Sequence, residues 1–225
     1  MDNKCMISIN QLADFCKGTE SKKRNIVKQQ KNPNTFKMAY YQLAKARIKK
    51  TLELKGKITP ILSGIDELKN RKPVKKRQIS DKQVSIEAMH RFISIKLPKL
   101  LTDTEYEVFK PTKSKSLLIN GVEIIISPDL IIRGKINGIT FLGGFKVHIS
   151  KSNIFDIDQQ NIVASSIFKY LETVIAEKDE IVLPELCLSL DVFGSGFVPT
   201  SSNLENTLEN IETVCEEIKV YWNAS

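Results

Sequence analysis

Two Asn-Gly pairs, Asn120-Gly121 and Asn137-Gly138, each stand between short runs rich in β-branched residues. Asn and Gly accept the positive φ angles of a two-residue turn, so each pair predicts a β-hairpin. The first hairpin joins 116–119 to 122–126, and the second joins 129–133 to 139–149. A shorter run at 104–109 reads as another strand. Leu186, Leu188, Leu190 and Val192 alternate, which predicts a half-buried strand over 185–193. Between the hairpins and that strand, Asp156 or Asp158 offers a cap for a helix reaching about Glu177. Ile162, Ile167, Tyr170 and Val174 are its inward positions. Gly194-Ser-Gly196 reads as a loop, and Asn203 or Thr207 starts a last helix ending near Trp222.

The first third is helical in pattern. Ser8 and Gln11 have capping-box spacing before Leu12, Phe15 and Cys16. A polar helix from about Thr19 to Lys31 stops at Asn32-Pro33. A stronger helix starts near Asn34, carries Phe36, Tyr40, Leu43 and Arg47, and ends at Gly56; a short one follows at Thr59-Pro60. Residues 69–77 hold six basic residues in nine and read as an exposed linker. Ser80 and Gln83 repeat the capping-box spacing and predict a helix to about Leu97, stopped by Pro98. From residue 80 the order is helix, several strands, helix, strand, helix. The fold class is therefore α+β, a basic helical region over 1–79 followed by a mixed sheet flanked by helices over 80–225.

Charge divides along the same line. Residues 1–83 hold 21 Lys and Arg against 7 Asp and Glu, a net of +14, while residues 84–225 hold 13 against 19, a net of −6. A basic front half suits a polyanion, nucleic acid first, with Lys49, Lys50, Arg71, Lys72, Lys75, Lys76 and Arg77 as candidate phosphate contacts. The plainer reading is a lysine-rich solvated face. Cys5, Cys16, Cys187 and Cys215 form no CxxC pair and only two histidines are present, which argues against structural zinc. Scattered cysteines, no apolar leader at the N-terminus and no membrane-length apolar run are the expectations for a cytoplasmic protein with reduced thiols. No phosphate-binding GxxxxGK[ST] or dinucleotide-binding glycine pattern occurs.

Pro128-Asp129 opens one predicted strand and Lys146 lies inside the next. A carboxylate and an ammonium on neighbouring strands suit metal-dependent phosphodiester hydrolysis. The carboxylate holds Mg²⁺ or Mn²⁺, and the lysine orients water or stabilises charge on the phosphate. These residues, with the element order around them, resemble the PD-(D/E)xK, or restriction-endonuclease-like, nuclease superfamily. Its core runs helix, three strands, helix, strand. Its Pro-Asp opens one strand and its acid-x-Lys lies on the next. The resemblance covers about 84–193 and departs at Gly144, which stands where the second acid is expected. It implies Asp129 as metal ligand and Lys146 as catalytic lysine. Glu87, Glu105, Glu107 and Glu123 are candidate substitute acids, and His148 is a candidate nitrogen ligand. Gln159 and Gln160 are candidates to face the site from the helix start. Glycine in a strand also marks a bulge or a close backbone approach. Three readings stand. The first is a divergent metal-dependent nuclease, in a setting such as microbial defence or mobile elements. The second is a catalytically degenerate nuclease fold that binds nucleic acid. The third is a protein-interaction subunit or homo-oligomer.

Overall fold

The computed structural model describes residues 4–33, 40–112 and 114–224. The expected start of the third helix, with Asn34 and Phe36, lies outside them. The fold is α+β. The described elements are β1 (Met6–Ser8), α1 (Ile9–Cys16), α2 (Glu20–Lys31), α3 (Gln42–Glu53), α4 (Thr59–Asn70), α5 (Lys76–Ser94) and α6 (Lys99–Asp103). There follow β2 (Tyr106–Val108), β3 (Ser116–Ile119), β4 (Val122–Ile125), β5 (Leu130–Ile136), β6 (Ile139–His148), α7 (Ile157–Tyr170), β7 (Glu180–Asp191), β8 (Gly196–Pro199) and α8 (Leu204–Asn223). A single π-helical turn, Leu171–Ile175, prolongs α7. No helix among the described residues is long and apolar enough to cross a membrane.

Both Asn-Gly turns form. Asn120 and Gly121 have φ of 48° and 79°, and Asn137 and Gly138 have φ of 51° and 84°. The two hairpins belong to different sheets. β3 and β4 join β1 in a three-stranded sheet ordered β1-β4-β3. β5 and β6 sit in a five-stranded sheet ordered β2-β5-β6-β7-β8. β2, β5 and β6 are antiparallel, whereas β7 runs parallel to β6 and β8 antiparallel to β7. The parallel pair needs a crossover, and α7 supplies it. Asp156 caps α7 in a full capping box with Gln159, the N-terminus expected from the sequence.

Two apolar cores lie on opposite faces of the five-stranded sheet. On one face, Leu130, Ile132, Phe141, Phe145, Val147, Leu186, Leu188 and Leu190 pack against α3, α4 and α5. On the other, Ile131, Leu142 and Cys187 pack against α7, with α1, α2, α8 and the small sheet completing the layer. β6 and β7 are thus buried on both faces over much of their length. Both cores draw on residues before and after position 79.

Several boundaries differ from expectation. Residues 6–8 form a strand, paired parallel to β4, where only helix was expected. Ser8 is the N-cap of α1, but its side chain makes no cap bond. α5 begins at Lys76, so Lys76 and Arg77 lie in a helix rather than a linker. Ser80 is inside that helix, and its neighbour Asp81 instead accepts the Tyr41 backbone N–H at 2.8 Å. Lys and Arg are good helix formers, and their charge disguised a helix start as a linker. β7 starts at Glu180, before the expected 185. The register of β6 against β7 slips between Leu142 and Gly144, a bulge opposite the Pro184 region that interrupts the alternation. Gly194 and Ser195 lie in the expected loop, but Gly196 already begins an edge strand, Gly196–Pro199, which was not anticipated; its terminal Pro199 suits an edge position.

Asp191, fully buried at the end of β7, holds three chain segments together. Its carboxylate accepts the backbone N–H of Phe155 at 2.7 Å, Phe193 at 2.9 Å and Gly194 at 3.1 Å. Bonds to a carboxylate acceptor are the stronger kind, and removing the acceptor strands the buried donors of Phe155 and Phe193. Asp191→Ala is expected to lower unfolding stability by about 3 kcal/mol or more in urea titration, and Asp191→Asn by less.

Candidate nucleic-acid interface

The chain turns sharply before β5. Ser127 adopts φ of 38°, and Pro128 follows. The carbonyls of Ile126 and Ser127 accept hydrogen bonds from the Lys146 ammonium at 3.1 and 2.7 Å. Asp129 then ties β5 to β6 on either side of that lysine. Its N–H donates to the Phe145 carbonyl at 2.7 Å, and its Oδ2 accepts the Val147 N–H at 2.9 Å. Its Oδ1 pairs with Lys45 Nζ of α3 at 2.9 Å. The pairing of Asp129 and Lys146 expected from the sequence is thus present as adjacent strand positions. Burial lowers the Lys146 pKa to about 8; Asp129 opposes that shift, and Lys45 and Lys49 add to it.

Gly144 shares a strand face with Lys146 and lies beneath α7. A Cβ there would stand 2.7 Å from Ile167 Cγ2 and 3.1 Å from Leu171 Cδ1. The position where a second acid was looked for is therefore a dry packing contact, closed to any side chain. Gly143 is equally tight on the opposite face, with Leu186 Cβ at 2.7 Å. The glycine pair is the close approach that the sequence suggested.

The substitute acids are held elsewhere. Glu87 on α5 pairs with Lys151 at 2.8 Å and Arg91 at 3.3 Å, and these bonds lower its pKa. Glu105 pairs with Lys55. Glu107 is exposed on β2, opposite Arg133. Glu123 lies in the other sheet, bonded to Ser116 and to Lys4 at 2.9 Å, which lowers its pKa. His148 stacks on Phe155 at 3.8 Å. Its ring nitrogens face the Asn153 carbonyl at 2.6 Å and the Asn10 amide at 3.5 Å. Gln159 closes the α7 cap and donates to the Ala13 carbonyl, and Gln160, in the first turn of α7, is fully buried. Among the described residues no three His, Cys, Asp or Glu side chains converge on a metal position. A divalent ion of the Mg²⁺ type takes several oxygen ligands. Asp129 and Glu53 are the carboxylates lining this cavity, and each is already held, Asp129 by Lys45 and the Val147 N–H and Glu53 by Lys50, so this donor set does not fit such an ion.

What gathers around Asp129 is positive charge. A cavity of about 280 Å³ is lined by Asp129, Pro128, Tyr170, Lys49, Lys110 and Lys115, among others. Among the described residues Lys49, Lys110 and Lys115 carry no ion pair. Lys45, Lys49 and Glu53 recur every four residues on α3, so one helix stripe faces the cavity. Of the seven basic candidates from the sequence, Lys49 alone lines it. Lys50 pairs with Glu53 at 3.0 Å and Arg71 with Glu67. Arg71 and Lys72 border a separate cleft between α4 and α5. Lys76 and Arg77 open α5, and Lys75 precedes it. Lys45, Lys110 and Lys115 were missed. The i, i+4 stripe signals Lys45, whereas Lys110 and Lys115 lie in connections whose course no local pattern reveals.

Gly144→Asp, which writes the missing acid back, is expected to destabilise the fold by about 3 kcal/mol or more, read as a fall in Tm. Lys146 has a folded pKa below its ordinary 10.5. The unfolded chain thus binds the extra proton between about 8 and 10.5, and stability rises with pH through that window. Relative to Lys146→Met, the gain is on the order of 3 kcal/mol in pH-dependent urea unfolding. No protein-family model matches this chain, and no curated protein matches it.

Proposed function

We propose that the chain binds the phosphate backbone of nucleic acid in the Asp129 cavity, on a nuclease-like layout that no longer hydrolyses. The observation that carries this reading is the set Lys49, Lys110 and Lys115, which make no ion pair among the described residues and line one cavity whose two carboxylates, Asp129 and Glu53, are already paired with Lys45 and Lys50. Surplus ammonium groups on a partly apolar wall attract a phosphodiester and release its counterions. The layout agrees with the resemblance. Taken through the five-stranded sheet, the order α5, β2, β5, β6, α7, β7 is helix, three strands, helix, strand, with the short helix α6 and the hairpin β3–β4 inserted. Asp129 and Lys146 serve here as a structural clamp. Asp129 holds Lys45 and the β6 backbone, and Lys146 holds the turn before β5.

The second reading, a nuclease dependent on Mg²⁺ or Mn²⁺, is favoured by the adjacency of Asp129 and Lys146. It needs oxygen ligands beyond Asp129, which the candidate acids do not bring to the site.

The two readings part on Asp129→Asn. The amide keeps an acceptor for the Val147 N–H but frees Lys45. As a binder, the variant is expected to hold DNA or RNA at least as tightly as the wild type, by fluorescence anisotropy. Affinity falls steeply with salt, and Lys49→Ala and Lys115→Ala each lower the log–log salt slope by about 1. The same oligonucleotides incubated with Mg²⁺, Mn²⁺ or chelator should remain intact. Metal-dependent cleavage abolished by Asp129→Asn would sink the binder reading and restore the nuclease.

A further inference from the structure

Helix α3 runs from the lysine-lined cavity to a second, aromatic one. Tyr41, immediately before α3, is in step with Lys45 and Lys49, each four residues on. At about 1.5 Å per residue the stripe from Tyr41 to Lys49 spans about 12 Å. At its Tyr41 end lies a groove of about 590 Å³, lined by Tyr40, Tyr41, Ser80, Val84, Ile149 and Lys151, among others.

The rings there form a chain. Tyr40 and Tyr41 have centroids 6.3 Å apart, and Tyr41 and Phe193 are 6.1 Å apart. Arg77 lies over the Tyr40 ring at 5.1 Å and Arg91 over Phe193 at 5.0 Å. Tyr40 is 40% exposed, high for so large a ring. Tyr41 adopts φ of 63°, outside the usual range for a bulky residue. The Asp81 carboxylate, which accepts its backbone N–H at 2.8 Å, helps hold it there. Tyr41, beside the exposed Tyr40 ring, is thus held by its bond to α5 and its contact with Phe193. Both cavities border one helix stripe, and Lys45 stands between them.

We infer that the two cavities form one track for single-stranded nucleic acid. Bases stack on Tyr40 and its neighbouring ring, while the backbone continues to Lys49, Lys110 and Lys115. In a duplex the base faces are already stacked on one another, so an aromatic platform engages only bases that are unpaired and splayed. Stacking on tyrosine accepts any base, and arginines beside the rings add attraction to base and phosphate alike. A duplex would use the lysines and leave the tyrosines idle. The track rests on the phosphate-binding reading and narrows it to a substrate class.

The test uses the full chain and fluorescence anisotropy with four labelled probes. They are oligo-dT, oligo-U, an abasic strand of equal length and charge, and a duplex. The wild type should bind oligo-dT or oligo-U more tightly than the abasic strand or the duplex, and whichever of the two is tighter names the sugar. Tyr40→Ala, at an exposed position, should weaken binding of the base-bearing strands by about tenfold and leave the other two unchanged. Tyr40→Trp should restore the loss. Lys49→Ala with Lys115→Ala should weaken all four probes together. Equal effects of Tyr40→Ala on all probes, no effect on any, or a wild-type preference for duplex would overturn the single-strand track and leave phosphate binding standing. A wild type that binds none of the four removes both.

Discussion

Helix α7 lies against β6 at a distance that only glycine allows, and this contact governs both the fold and the site. Ile167 and Leu171 occupy the space that a side chain at 144 would need. The helix can then bury its apolar face on the central strands and close the core that also receives α1, α8 and the small sheet. The contact also fixes what the neighbouring residues can do. With no room at 144, a second acid cannot stand beside Asp129 on that strand face. Lys146, two residues on, spends its hydrogen bonds on the turn before β5. Close packing and a two-carboxylate centre compete for the same volume, and here packing occupies it.

Charge in the site follows from the same arrangement. Asp129 is nearly enclosed between strand and helix, and Lys45 from the helical half answers it across the boundary between the two halves. That pair leaves the remaining lysines of the cavity without a counter-ion of their own. Residues 1–83 carry an excess of positive charge. Part of it, on α3, is directed at the edge of the sheet, where Lys110 and Lys115 from the back half meet it.

Local rules made much of the fold legible. Both Asn-Gly turns, the Asp156 capping box, the Thr19–Lys31 helix and the last helix depend on residues close in sequence, and there the pattern and the structure agree. The misses have long-range causes. β1 has three residues, too few for a period, and exists because β4 offers an edge. β8 is a strand because β7 pairs with it, although Gly196, its first residue, read as loop. The adjacency of Asp129 and Lys146 was legible because one hairpin sets it. Lys45, which completes the ion pair, arrives from α3, and nothing in a strand pattern announces a helix. Asp191 escaped notice for a similar reason: its three N–H partners come from two separate turns.

The pairing of β1 with β4 also constrains the order of events during synthesis. Met6 aligns with Glu123 and Ser8 with Ile125, so β1 is synthesised long before its partner β4 exists. Helices α3, α4 and α5 face no such delay with one another, since their mutual contacts are close in sequence. Loop-closure entropy weighs against the early strand and in favour of these local contacts. The nascent chain is thus expected to collapse first around α3, α4 and α5 and to recruit β1 late. Until then Ile7, Ile9 and Leu12, which the folded chain buries, remain uncovered.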